Sequence, residues 1–152
     1  MTSSSLQTSQ GRGTARAPLL AALSLGHMAI HWYQQLFPVI LPSIKDTLGL
    51  NDVEIGTLSA VREGAGGILI MPSGYLADSF AKYRPYILAF ALVSSGVAYF
   101  LVGLALSYLW ILPGIAMIGL ASAAWHPASV GSLSSRFPER RGTALAMHGV
   151  GA

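Results

Sequence analysis

Cysteine is absent from the sequence, which excludes disulfides, thiolate metal sites and cysteine nucleophiles and leaves no guide to the redox compartment. Charge is nearly as scarce. Only 10% of the 152 residues are Asp, Glu, Lys or Arg against 53% hydrophobic, and the mean hydropathy is +0.56, a balance suited to lipid rather than water. The net charge of +3 is spread in short clusters between apolar runs, a pattern that reports membrane topology and excludes a nucleic-acid surface. No nucleophile–base spacing rises above chance, so no enzyme and no cofactor are expected.

The first sixteen residues are rich in Ser, Thr, Gln and Gly and offer too little apolar surface to pack, so a mobile cytoplasmic tail is expected over 1–16. A secretory signal with Arg12 and Arg16 as its basic end competes with this reading. The uncharged run 17–44 is too long for such a signal, and no clear cleavage site follows it.

A membrane helix needs about 20 apolar residues, since backbone in lipid must satisfy its own hydrogen bonds. Four segments qualify, near 18–43, 52–77, 85–106 and 108–133, and a fifth starts at 142 and reaches the last residue, 152. Asn51-Asp52 caps the second. The uncharged run 85–135 is too long for one span, and Ser107-Tyr108 is the polar interruption at which it should fold into a hairpin. The expected fold is therefore all-α and integral to the membrane, with residues 17–152 forming one partial domain of four complete helices and the start of a fifth.

Basic residues remain on the cytoplasmic side. Arg12, Arg16, Lys82, Arg84, Arg136, Arg140 and Arg141, seven of the nine Lys and Arg, flank one side of the bundle, whereas the first loop on the other side has only Lys45 beside Asp46, Asp52 and Glu54. A cytoplasmic N-terminus in the cell membrane follows.

Polar groups are costly in lipid and usually face a cavity. In the first helix His27 and His31 lie one turn apart, with Gln34 and Gln35 a further turn on, so a polar stripe runs down one face. Two histidines at this spacing could hold a metal, but no third ligand is evident and no metal site is predicted. Hydrogen bonding to neighbouring helices is the competing reading; cavity lining is favoured. Arg62 and Glu63 lie in the second helix, about 12–14 Å from Glu54 at about 1.5 Å per residue. Neighbours on a helix point about 100° apart, so the two are not expected to close a pair on their own helix, and at least one needs a partner on another helix or on a substrate. Arg62 suits an anion, and a desolvated Glu63 can exchange a proton. A purely structural interhelical salt bridge is the alternative. The fourth helix ends with Trp125 and His126 before Pro127, which frees a backbone carbonyl by kinking the helix; Pro38 and Pro42 act on the first. The third helix, with Ser94 and Ser95 as its main polar features, is expected to be peripheral and lipid-facing.

The stretch Gly74-Tyr75-Leu76-Ala77-Asp78-Ser79-Phe80-Ala81-Lys82-Tyr83-Arg84-Pro85 resembles the signature loop of the major facilitator superfamily. Ser79 and Ala81 stand where that family usually has a base and a Gly. The resemblance implies a twelve-helix transporter of two halves, of which this chain would be the N-terminal part, inactive alone and completed by missing C-terminal helices. It also implies that Gly74, Asp78, Lys82 and Arg84 form a conformational latch. His27, the Pro-rich end of the first helix, His126-Pro127 and Glu139-Arg140-Arg141-Gly142 are similar to the branch containing the fosmidomycin-resistance exporters. His31 takes the place of an Asp usual there, and Ile115 that of an Arg common in proton antiporters. Proton-coupled efflux of a small organic solute is what this resemblance implies, with His27, His31, Gln34, Gln35, Arg62, Glu63, Trp125 and His126 along the solute and proton pathway. An uptake symporter and a small non-transporting membrane subunit are the alternatives.

Overall fold

The computed structural model describes the backbone of residues 3–150 and the side chains of residues 17–150. The side chains of Arg12 and Arg16, and residues 151–152 of the fifth segment, lie outside the described residues. Among the described residues five α-helices follow one another: α1 (Ser3–Leu48), α2 (Asp52–Ser79), α3 (Arg84–Gly103), α4 (Tyr108–Arg136) and α5 (Arg141–Gly149), with single 3-10 turns before α3 and α5. There is no strand among the described residues. α1 begins at Ser3, upstream of the span expected from residue 18, and takes in most of the segment read as a tail. No proline lies between Ser3 and Ala17, and a helix already formed extends by one hydrogen bond per residue.

Local chemistry sets each break. Gly49 takes φ +64°, the left-handed conformation that ends α1, and Leu50 N–H returns to the Lys45 carbonyl at 3.0 Å, a Schellman-type close. Asn51 and Glu54 then form a reciprocal capping box at the start of α2, at 3.0 and 2.9 Å. Lys45 hydrogen-bonds Asp52 across this turn, and that bond, with the charge of the carboxylate, raises the Lys45 pKa above its ordinary value. Ser107 caps α4, its Oγ accepting from Trp110 N–H at 3.4 Å. Pro85 sits in the first turn of α3, where its missing N–H costs nothing.

α4 is the central helix: α2 packs most extensively against it and α3 next, while α1 touches α3, α4 and α5. The α2–α4 crossing depends on glycine. A Cβ on Gly66 would sit 3.2 Å from the Gly119 carbonyl, and one on Gly119 would strike the Arg62 carbonyl. On α3 a small-residue face of Ala91, Ser95, Ala98 and Val102 is buried, whereas Tyr86, Phe90, Val93, Val97 and Phe100 are exposed. The helix expected to be peripheral is therefore peripheral on one side only.

Buried side chains form two apolar clusters. One gathers Leu23, Ile30, Ala77, Trp125, Ala128 and Leu133; the other gathers Phe37, Leu58, Ala98, Ile111, Ile115 and Ile118. Along α2 and α4 these clusters occupy opposite halves, and Arg62 to Gly67 and Gly119 to Ser122 fall between them. Among the described residues, two segments are long and apolar enough to cross a membrane by length and composition, Ala81–Gly103 and Tyr108–Arg136. α1 and α2 carry the interior His, Gln, Arg and Glu side chains, which lower the hydropathy of any window that includes them.

Candidate functional site

Between the two apolar clusters lies a cavity of about 470 Å³ walled by α1, α2 and α4. Gln34, Arg62, Glu63, Gly66, Gly119, Ser122 and His126 line it, so small residues open the space and polar ones furnish it. Gln34 donates to Ser122 Oγ, bridging α1 to α4. A second cavity of about 310 Å³ shares Gln34, Arg62 and Glu63 and extends past Gln35 to Pro38 and Ser59.

Arg62 and Glu63 do pair, Nη2 to Oε1 at 3.3 Å, contrary to the expectation that adjacent residues would not close a pair on their own helix. Their Cβ atoms diverge, but long side chains bend across the gap. The pair is lopsided: the Arg62 side chain is 18% exposed and Glu63 74%. Arg62 also lies over the Phe37 ring of α1, 4.7 Å from its centroid, a cation–π contact. Arg62 is thus held by protein on two sides while Glu63 opens to the cavity.

All four histidines of the chain converge beside this cavity. His27 and His31 of α1 meet with Nε2 atoms 3.0 Å apart and ring centroids 4.5 Å apart. His126 of α4 lies 5.5 and 5.6 Å from these two rings, and the buried His148 of α5 stacks on His27 at 4.1 Å. His27 Nδ1 meets the His148 carbonyl at 3.0 Å and His126 Nδ1 the Ser122 carbonyl at 2.9 Å. A carbonyl only accepts, so both Nδ1 atoms carry a proton, and in the neutral ring each Nε2 is left with the lone pair. Sequence spacing reveals the His27–His31 pair but not the arrival of His126 and His148, which no local pattern signals.

Trp125, expected on the pathway, is 2% exposed and belongs to the apolar core, its ring filling the space that a Cβ on Gly26 would need. Adjacent helix positions face different ways, so His126 can line the cavity while Trp125 packs. Gln35 is exposed, lining the smaller cavity and a groove of about 490 Å³ on the outer face of α1. Pro38 and Pro42 lie inside α1, which continues through both to Leu48. Pro127 lies inside α4, and the carbonyl it frees, that of Ala123, accepts from Ser73 Oγ at 2.9 Å.

At the α2–α3 turn Arg84 organises the loop. Its guanidinium donates to the Ala77 carbonyl at 2.8 Å, the Gly131 carbonyl at 2.8 Å and Ser135 Oγ at 3.2 Å, and pairs with Asp78 at 3.1 Å. Lys82 lies over the Tyr83 ring at 4.8 Å. A Cβ on Gly74 would meet nothing within 4 Å.

Residues 23–152 match the Major Facilitator Superfamily. An uncharacterized MFS-type transporter of Bacillus subtilis, YfnC, is 26% identical over 145 residues, covering 95% of this chain and 35% of its own. The fosmidomycin resistance protein of Escherichia coli is 26% identical over 133 residues, covering 88% of this chain and 32% of its own. The chain thus spans about a third of the length of these relatives. No solved structure matches it.

Proposed function

We propose that this chain, which belongs to the Major Facilitator Superfamily and is therefore part of a multi-pass membrane protein, forms part of a proton-coupled transporter that exports a small organic solute. The observation that carries this reading is the cavity between the two apolar clusters, where Arg62 and Glu63 meet Gln34, Ser122 and His126. Arg62 keeps its charge at any working pH and presents a fork-shaped donor to an anionic group, but it cannot carry the proton. Glu63 and the His27–His31 pair can.

The outward direction is supported by the relative named for fosmidomycin resistance. In this reading α1 to α4 all cross the cell membrane, the N-terminus is cytoplasmic, and Gly74, Asp78, Lys82 and Arg84 act as a latch at the cytoplasmic face. Further helices of the transporter close the open wall of the cavity and meet Gly74, whose free space suits a close approach. Everted vesicles carrying the complete gene product test the reading: a transported organic anion should collapse a preset pH gradient, reported by a pH-sensitive dye. If no member of a broad panel of small organic anions disturbs the gradient beyond vesicles lacking the protein, the proposal fails.

A further inference from the structure

The structure assigns a binding site for a divalent transition-metal cation to His27 and His31 of α1 with His126 of α4. The three residues each offer a ring nitrogen, and these nitrogens lie within 4.8 Å of one another. Nitrogens bound at about 2.0–2.1 Å in tetrahedral geometry stand about 3.3 Å apart. The His27–His31 separation of 3.0 Å is close to that, and from a separation of up to 4.8 Å the third nitrogen needs an approach of about 1.5 Å, within the reach of a partly buried side chain turning about its own bonds.

Hydrogen bonding prepares the donors. Metal-bound histidines typically donate their second ring N–H to a carbonyl or carboxylate, which fixes the tautomer that offers the lone pair. His27 and His126 both do so, through Nδ1 to the His148 and Ser122 carbonyls. His31 is the adjustable member: in the metal-free pair its Nε2–H points at the His27 lone pair, and moving that proton to Nδ1 leaves the ring neutral and frees Nε2 to ligate. No carboxylate belongs to the set, which disfavours magnesium and calcium and favours zinc, copper or nickel. Three protein nitrogens leave a fourth position open, as in sites that also take water or a ligand group. His126 lines the large cavity, which supplies the route in.

This inference does not depend on the transport reading, since it concerns equilibrium binding without a gradient. The probe is zinc ion alone, added to the full chain purified in detergent micelles with its affinity tag removed. Calorimetry should show one saturable site, and x-ray absorption should show imidazole nitrogens at about 2.0–2.1 Å. His31→Gln or His126→Gln should weaken binding by at least about tenfold to a hundredfold. Zinc should also raise the thermal unfolding midpoint of the unmodified chain in proportion to the logarithm of its concentration, and not that of a folded His126→Gln variant. Binding of equal strength in both variants, or absorption spectra without imidazole scattering, would overturn the assignment.

Discussion

The Ser73 hydroxyl of α2 lies 2.9 Å from the Ala123 carbonyl of α4 and 2.9 Å from the Ile70 carbonyl of its own helix, one proton shared between the two acceptors, and Ala123 lies four residues before Pro127, whose missing N–H leaves that carbonyl without its helical donor. A neighbouring helix thus supplies a hydrogen bond to the carbonyl that proline leaves without its helical donor. Ser73 is itself buried, so the bond joins the two most extensively packed helices at their polar interior.

Ser73→Ala should lower stability by about 1–2 kcal/mol, the cost of an unmet buried carbonyl, read by thermal unfolding in detergent. Adding Pro127→Ala should recover part of the loss, because the backbone N–H regained with the alanine reclaims the carbonyl. Purely additive effects would remove the pairing from the account.

The Gly66–Gly119 crossing predicts a second contrast. Gly119→Ala drives a methyl into the Arg62 carbonyl and should destabilise by about 1–3 kcal/mol through separation of α2 and α4. Gly74→Ala meets open space and should leave unfolding unchanged while impairing transport, if Gly74 lies where further helices close. Equal stability of Gly119→Ala and the parent protein would contradict the close crossing.

Loop residues separate in the same way. Asp78 is 79% exposed and Arg84 11%, so their ion pair contributes at most about 1 kcal/mol, whereas Arg84 also holds two carbonyls. Asp78→Asn should keep membrane insertion and stability and lose transport; Arg84→Gln should lose both. Normal transport by Asp78→Asn would leave the loop a matter of topology alone.

Topology has its own test. Single cysteines at Ser43 and Ser79, both exposed, should label with an impermeant thiol reagent from opposite sides of intact cells, Ser43→Cys alone reacting from outside. Reversed labelling would invert the bundle.

Element breaks are legible in the sequence wherever they rest on local chemistry. Asn51-Asp52 announces a helix start and Ser107-Tyr108 interrupts an otherwise unbroken apolar run, and helices begin beside each. The site is legible in part. Gln34, Arg62, Glu63 and His126, singled out as polar residues within apolar runs, line one cavity. What depends on tertiary distance is not legible. The third metal-competent nitrogen comes from another helix, far along the chain from His31, and the stacking of His148 comes from a third helix. Trp125 packs in the core because sequence adjacency to His126 says nothing of facing, and Arg62 reaches Glu63 because the angle between Cβ vectors neglects side-chain length.

The central claim is that Glu63 and the histidine pair couple a proton to solute movement through this cavity. Proteoliposomes holding the complete gene product, under an imposed pH gradient, test it most directly. Gradient-driven solute flux should be lost in Glu63→Gln or in His31→Ala, while exchange of solute at equal pH on both sides persists. If both variants follow the gradient as the unmodified protein does, the proton is carried elsewhere and the account is wrong.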